Sequence, residues 1–183
     1  MKFTKTNIEG VFIVELEPHF DERGMFARVF CKKEFKAINV KKDFVQVNHS
    51  FTKKKGTIRG LHMQISPKEE AKLIKCISGK VFDVAVDMRK DSSTYLQWTS
   101  IELSKENMKM IYIPEGCAHG FQTLEDNCEM LYFHSEYYSP EYESTIFYGD
   151  KQLNITWQHE VTGMSGKDFN AKDIIEEIGV KSN

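Results

Sequence analysis

The chain has 183 residues, enough for one domain, spanning 1–183, that buries its own core without metal or disulfide staples. Its hydrophobic fraction is 40%, with 13 Phe and 7 Tyr to fill that core. A net charge of −2, short Lys runs such as 53–55 among acids, and the lack of any long apolar run exclude a general nucleic-acid binder and a helical membrane span.

Cys31, Cys76, Cys117 and Cys128 form no CxxC pair and no Cys/His zinc spacing. With no signal peptide ahead of them, free thiols in a reducing cytoplasm are expected. Residues 10–16 are β-branched and aromatic and predict a strand. A polar turn carrying Arg23 and Gly24 follows, then a second strand over 26–30. Good helix formers between Lys32 and Ile38 predict a short helix.

Residues 44–51 alternate with period two. Val45, Val47, His49 and Phe51 share one face, and Gln46, Asn48 and Ser50 share the other. Three hydrogen-bonding side chains in a row suit the wall of a polar cavity.

The densest chemistry comes next: Arg59, His62, Gln64 and Lys72 fall within fourteen residues. Arginine binds phosphate or carboxylate through two parallel hydrogen bonds, and histidine moves protons near neutral pH. An anionic substrate that gains and loses a proton fits that set. Strict alternation places Arg59 and His62 on opposite faces of a strand over 57–65. Gly60 between them is a natural place for a bulge that re-aims one of them.

Residues 72–77 and 81–88, joined at Ser78-Gly79-Lys80, predict a hairpin. In its second arm Val81, Asp83, Ala85 and Asp87 face away from Phe82, Val84, Val86 and Met88. Further strands are expected over 95–103, 110–113, 120–124 and 128–134, with a turn at 125–127, and a last helix over 168–178. Many short strands with frequent turns indicate an antiparallel sandwich or small barrel.

Pro114-Glu115-Gly116-Cys117-Ala118-His119 reads P-x-G-x-x-H, the second signature of the cupin jelly roll. Metal-binding cupins also carry an H-x-H pair in the first signature, where this chain has His62-Met63-Gln64. Two imidazoles fall short of the three protein ligands of a catalytic zinc or iron site, so no metal is expected.

Together these pieces resemble the dTDP-4-dehydrorhamnose 3,5-epimerase family of nucleotide-sugar enzymes, metal-independent cupins. The matching residues run from Phe20-Asp21-x-Arg23-Gly24-x-Phe26 through Gln46-x-Asn48-x-Ser50, Arg59-Gly60-Leu61-His62-x-Gln64 and Lys72-Leu73-Ile74. They continue with Gly79 to Arg89, the stretch from Ile113 to Phe121, Tyr132, Tyr138 and Ser165-x-Lys167-Asp168. The resemblance implies an all-β, cupin-type double-stranded β-helix with a few short peripheral helices.

It also implies an isomerase acting, without a cofactor, on a 4-keto-6-deoxy sugar linked to a nucleoside diphosphate. The C4 ketone acidifies the C3 and C5 hydrogens; a base removes one, and an acid on the opposite face returns a proton to the enolate. His62 matches the base, Asp168 its orienting partner, Tyr132 the proton donor and Lys72 the cation near the enolate oxygen. Arg59 and His119 match diphosphate or sugar contacts. Gln46, Asn48, Tyr138, Lys167, Phe26 and Arg28 match substrate-lining positions. Arg23 matches a contact reaching in from the partner of a homodimer that exchanges N-terminal segments. Asp83 is an alternative partner for His62, while His19, His49, His134 and His159 are expected to be structural or surface residues.

The chain departs from the pattern at Arg28, where Glu is common, at Met63, where Tyr is common, and at Glu70, where Gln is common. Exchanging an acceptor-only carboxylate for a donor-only guanidinium at 28 reverses the hydrogen-bonding offer to the nucleobase. The same chemistry on a GDP- or CDP-linked sugar or heptose is therefore the alternative, with a non-catalytic sugar-nucleotide-binding cupin behind it.

Overall fold

In the computed structural model, which describes residues 1–40 and 42–174, two antiparallel sheets face each other. In chain order the strands are β1 (Lys2–Lys5), β2 (Phe12–Glu15), β3 (His19–Asp21), β4 (Gly24–Phe26), β5 (Gln46–Thr52), β6 (Ile58–Gln64) and β7 (Lys72–Ser78). Then come β8 (Lys80–Asp87), β9 (Trp98–Ser104), β10 (Lys109–Ile113), β11 (Cys117–Thr123), β12 (Cys128–His134) and β13 (Glu143–Thr145). Six strands form one sheet in the order β1-β2-β10-β7-β12-β5, and five form the other in the order β13-β6-β11-β8-β9. β3 and β4 pair only with each other. The fold is the cupin-like β-sandwich expected.

Between the sheets lies an apolar core of Ile74, Cys76, Val81, Ala85, Ile111, Phe121 and Met130 with their neighbours. The period-two alternation of β8 is satisfied on both sides. Val81 and Ala85 enter this core, while Val84 and Val86 meet Leu61, Ala118, Ile146 and Leu153 on the outer side. Outside the six-stranded sheet, helix α1 (Lys32–Phe35) drops Phe35 among Phe3, Phe30, Phe44 and Tyr112, with Phe3 and Phe44 meeting it edge-on. Burying such a ring is worth about 2 kcal/mol or more, which anchors a helix only one turn long.

Four expectations are corrected. Residues 72–77 and 81–88 do not form a hairpin: β7 pairs with β10 and β12, and β8 with β11 and β9. The Ser78-Gly79-Lys80 turn instead crosses from one sheet to the other, with Gly79 at positive φ against Cys128. A tight turn between two alternating strands reads the same in sequence whether the strands pair or part. The strand foreseen over 26–30 ends at Phe26, because Val29 and Phe30 are drawn into the Phe35 cluster. His134, expected to be a structural or surface residue, is half-buried and lines the cavity described below. Of the helix foreseen over 168–178, residues 168 and 169 end the one-turn α2 (Gly166–Phe169), capped by the Ser165 hydroxyl on the Asp168 N–H, and 170–173 are not helical. The remainder of that prediction, from 175 onward, lies outside the described residues.

Candidate active site

Along each inner face the apolar core gives way to polar side chains. In β12, Cys128 and Met130 are followed on the same face by Tyr132 and His134; in antiparallel β7, Cys76 and Ile74 are followed by Lys72. At that end the sheets line a cavity of about 680 Å3. The five-stranded sheet supplies Arg59, His62 and His119; the six-stranded sheet supplies Gln46, Asn48, Ser50, Lys72, Tyr132 and His134.

Arg59 and His62 share the cavity because of a bulge. His62 pairs with His119 and Arg59 with Phe121, so two residues of β6, Gly60 and Leu61, oppose the single Gly120 of β11. Gly60 lies at φ +116°, and a Cβ there would come within 2.6 Å of the Gly120 Cα. Only glycine fits so close an approach.

His62 Nε2 lies 2.7 Å from Asp168 Oδ1, and Asp168 Oδ2 accepts from the Gly60 N–H at 3.3 Å. Burial works to raise the Asp168 pKa, but hydrogen bonds from His62, Gly60 and Ser165 outweigh it and hold the carboxyl below its ordinary range. A carboxylate only accepts, so Nε2 carries the proton and Nδ1 keeps the lone pair. An imidazole held in this way can accept a proton through Nδ1.

The second imidazole has its own carboxylate. His119 Nε2 lies 3.0 and 2.9 Å from the two oxygens of Asp83, whose residue is fully buried. Burial pushes Asp83 up and His119 down, each partner opposing the other's shift. Of the two carboxylates considered for His62, the one in contact with it is Asp168, while Asp83 meets His119.

Tyr132 shares a 2.8 Å hydrogen bond with Ser50, and burial pushes its pKa upward, so the phenol keeps its proton at neutral pH. Lys72 is buried; its Nζ donates to the His62 carbonyl at 2.9 Å and pairs with Glu70 at 3.2 Å. Arg59 spends donors on Thr52 Oγ1 and the Phe51 carbonyl, and the residue is exposed toward the cavity mouth. At the rim Tyr138 and Lys167 both reach Glu143, at 3.1 and 2.6 Å.

Three expected residues are not in this cavity. Arg23 pairs with Asp21 in the β3–β4 hairpin, Phe26 is 76% exposed there, and Arg28 pairs with Glu34 at 2.7 Å. Sequence reasoning in turn passed over Glu70, His134 and Glu143. For His134 the signal was periodicity, since it follows Tyr132 by two residues on the same face of β12; Glu70 lies in the loop ahead of β7, where alternation says nothing. Among the described residues no three His, Cys, Asp or Glu side chains come together as a metal-holding group, and no helix is long and apolar enough to cross a bilayer.

A family model described as dTDP-4-dehydrorhamnose 3,5-epimerase matches residues 5–176. The dTDP-4-dehydrorhamnose 3,5-epimerase of Shigella flexneri is 43% identical over 177 residues, covering 96% of this chain and 97% of that protein. The crystal structure of the enzyme of that name from Elizabethkingia anophelis superposes with a TM-score of 0.93 at 36% identity, covering 97% and 98% of the two chains. A dTDP-6-deoxy-D-glucose-3,5-epimerase from Legionella pneumophila, solved with dTDP-4-keto-L-rhamnose, superposes with a TM-score of 0.89 at 40% identity, covering 94% and 92%.

Proposed function

The chain belongs to the dTDP-4-dehydrorhamnose 3,5-epimerase family, and from that premise we propose how its own residues divide the reaction. The protein is an isomerase that inverts centres flanking the C4 ketone of a nucleoside-diphosphate-linked 4-keto-6-deoxy sugar. Inversion requires a proton to leave one face of the carbon and another to arrive on the opposite face. The observation that carries the assignment is that His62 stands on the five-stranded sheet and Tyr132 on the six-stranded sheet, with the cavity between them.

In this reading His62 Nδ1 takes the C3 or C5 proton, and Asp168 stabilises the imidazolium that forms. The electron pair moves onto the ketone oxygen as an enolate. Lys72 faces that developing charge, a role worth about 3 kcal/mol in comparable oxyanion sites. Tyr132 returns a proton from the other side, and Ser50 orients its hydroxyl. Arg59 and the His119–Asp83 pair hold the diphosphate and sugar; Gln46, Asn48, Tyr138 and Lys167 line the remainder.

The β3–β4 hairpin leaves Phe20, Met25 and Phe26 at 69%, 50% and 76% exposure, outside the cavity of its own chain. That exposed apolar cluster, carrying Arg23, supports a homodimer in which the hairpin completes the partner's site and presents Phe26 and Arg28 toward the nucleotide. A cytoplasmic location fits the reduced thiols of the chain.

The direct test is incubation in deuterated water with 4-keto-6-deoxy sugars on dTDP, CDP and GDP. Deuterium should enter C3 and C5 of the dTDP sugar with inversion at both. Preferred turnover of the CDP or GDP sugar would overturn the nucleotide assignment and leave the reaction intact. No exchange with any of them would overturn the reaction.

A further inference from the structure

Behind Lys72 lies a hydrogen-bond chain whose central link, Glu70 and His134, the reaction as described does not use. Its direction is set at one end. The Tyr138 N–H can only donate, and it donates to Gln46 Oε1 at 3.2 Å. The Gln46 amide nitrogen must then donate onward, to Asn48 Oδ1 at 3.2 Å, and the Asn48 amide nitrogen to His134 Nε2 at 3.3 Å. With Nε2 accepting, the His134 proton sits on Nδ1, which meets Glu70 Oε2 at 2.7 Å. The other oxygen of Glu70 faces Lys72 Nζ at 3.2 Å, and Lys72 donates to the backbone carbonyl of His62 at 2.9 Å. One polarised chain therefore runs from the rim of the cavity to the backbone of the base.

The carboxylate in the middle is nearly inaccessible, its side chain 9% exposed, and that of Lys72 is 6% exposed. Burial works to raise the Glu70 pKa, but His134 and Lys72 hold it below its ordinary range. An ammonium with so little exposure needs a counter-ion in contact and a fixed geometry to remain useful. Glu70 provides the first and His134 the second.

We propose that Glu70 and His134 are positioning residues: His134, held as its Nδ1–H tautomer through Gln46 and Asn48, fixes Glu70, and Glu70 aims the Lys72 ammonium at the oxygen of the forming enolate. The inference rests on the assignment of Lys72 above and adds two residues that act through it without touching the reacting atoms. Because the enolate charge exists only beyond the ground state, loss of aim falls on kcat and leaves KM in place.

The experiment compares Glu70→Gln, His134→Ala, His134→Asn and Lys72→Met in steady-state assays of the full chain, with the tautomer of His134 read from imidazole 15N shifts in the parent protein. Glu70→Gln removes the charge and sets an amide N–H2 against the His134 N–H or the ammonium. It should lower kcat about tenfold or more with KM nearly unchanged. His134→Ala should do the same. His134→Asn, whose amide nitrogen replaces Nδ1, should recover most of that loss. The parent should show the Nδ1–H tautomer, a measurement that needs no variant to fold.

Equal kcat in His134→Ala and His134→Asn, an effect confined to KM, or an Nε2–H tautomer in the parent would overturn the proposal. Parental turnover by Lys72→Met would instead remove the premise, since the cation itself would then be idle. Impaired Lys72→Met beside normal Glu70→Gln locates the failure in the positioning pair alone.

Discussion

At the scale of single residues, the cavity shows how an imidazole's role follows from what holds it. His62 is half-exposed and bound through Nε2 to a carboxylate kept ionised by its own hydrogen bonds, which leaves Nδ1 as a lone pair. His119 is buried against a carboxylate that burial pushes the other way. The first arrangement suits proton abstraction and the second suits a fixed contact. His62→Ala should therefore abolish exchange of substrate hydrogen into deuterated water. Tyr132→Phe should hurt inversion more than exchange, because the enolate can still recapture a proton from the His62 side. Each group contributes about 10²- to 10⁴-fold as a general acid or base, so a kinetic assay will resolve both losses. Normal exchange in His62→Ala would remove it as the base; equal loss of both activities in Tyr132→Phe would count against the division of roles.

At the scale of an element, strand β6 depends on its one extra residue. Gly60→Ala asks for a side chain at φ +116° against the backbone of β11, so the bulge must shift or straighten. The expected cost is about 2–4 kcal/mol of stability, and a turned His62 or Arg59 should lower turnover further. An unchanged unfolding midpoint with full activity would sink this account. The same strand shows how far the sequence could be read. Arg59, His62 and the bulge-prone glycine between them were visible, because short-range spacing encodes them. The inward faces of β5 and β8 were visible too, because alternation with period two survives in any sheet. What was illegible was pairing across space. Nothing local tells the Gly79 turn to cross between sheets, or tells Glu70 that it will meet His134 from a strand 64 residues away. The division of Asp83 and Asp168 between two histidines was open for the same reason, since it is decided by which strands become neighbours.

At the scale of the whole molecule, two predictions concern folding and assembly. Asp87 is completely buried where β8 ends and accepts from the Arg89 backbone and guanidinium, the Ser92 hydroxyl and the Thr94 hydroxyl. Burial opposes its charge, but these bonds outweigh burial and hold its pKa well below the carboxylate range. A depressed native pKa stabilises the fold above the unfolded-state value, about 3.9, and that contribution is lost as pH falls toward the native value. Acid unfolding of the parent should therefore steepen below about pH 4. Asp87→Asn should make that slope shallower, leaving the share of Asp168 and Glu70, and cost about 2 kcal/mol at neutral pH. An unaltered acid limb would show that the charge of Asp87 is irrelevant. In assembly, the exposed β3–β4 hairpin predicts a dimer by sedimentation, with Arg23→Ala weakening substrate binding and leaving the dimer intact. A fully active monomer would defeat that expectation.

The placement of His62 and Tyr132 on separate sheets has a consequence for how such a protein can diversify. In the division of roles proposed above, the group that takes a proton and the group that gives one back stand on different walls, which touch through a packed core and share no strand. A change at Tyr132 can alter the face from which the deprotonated carbon is reprotonated while His62 and Asp168, on the other side of the cavity, stay in place. Descendants of one ancestral chain can thus differ in the sugar they release while beginning from the same first step.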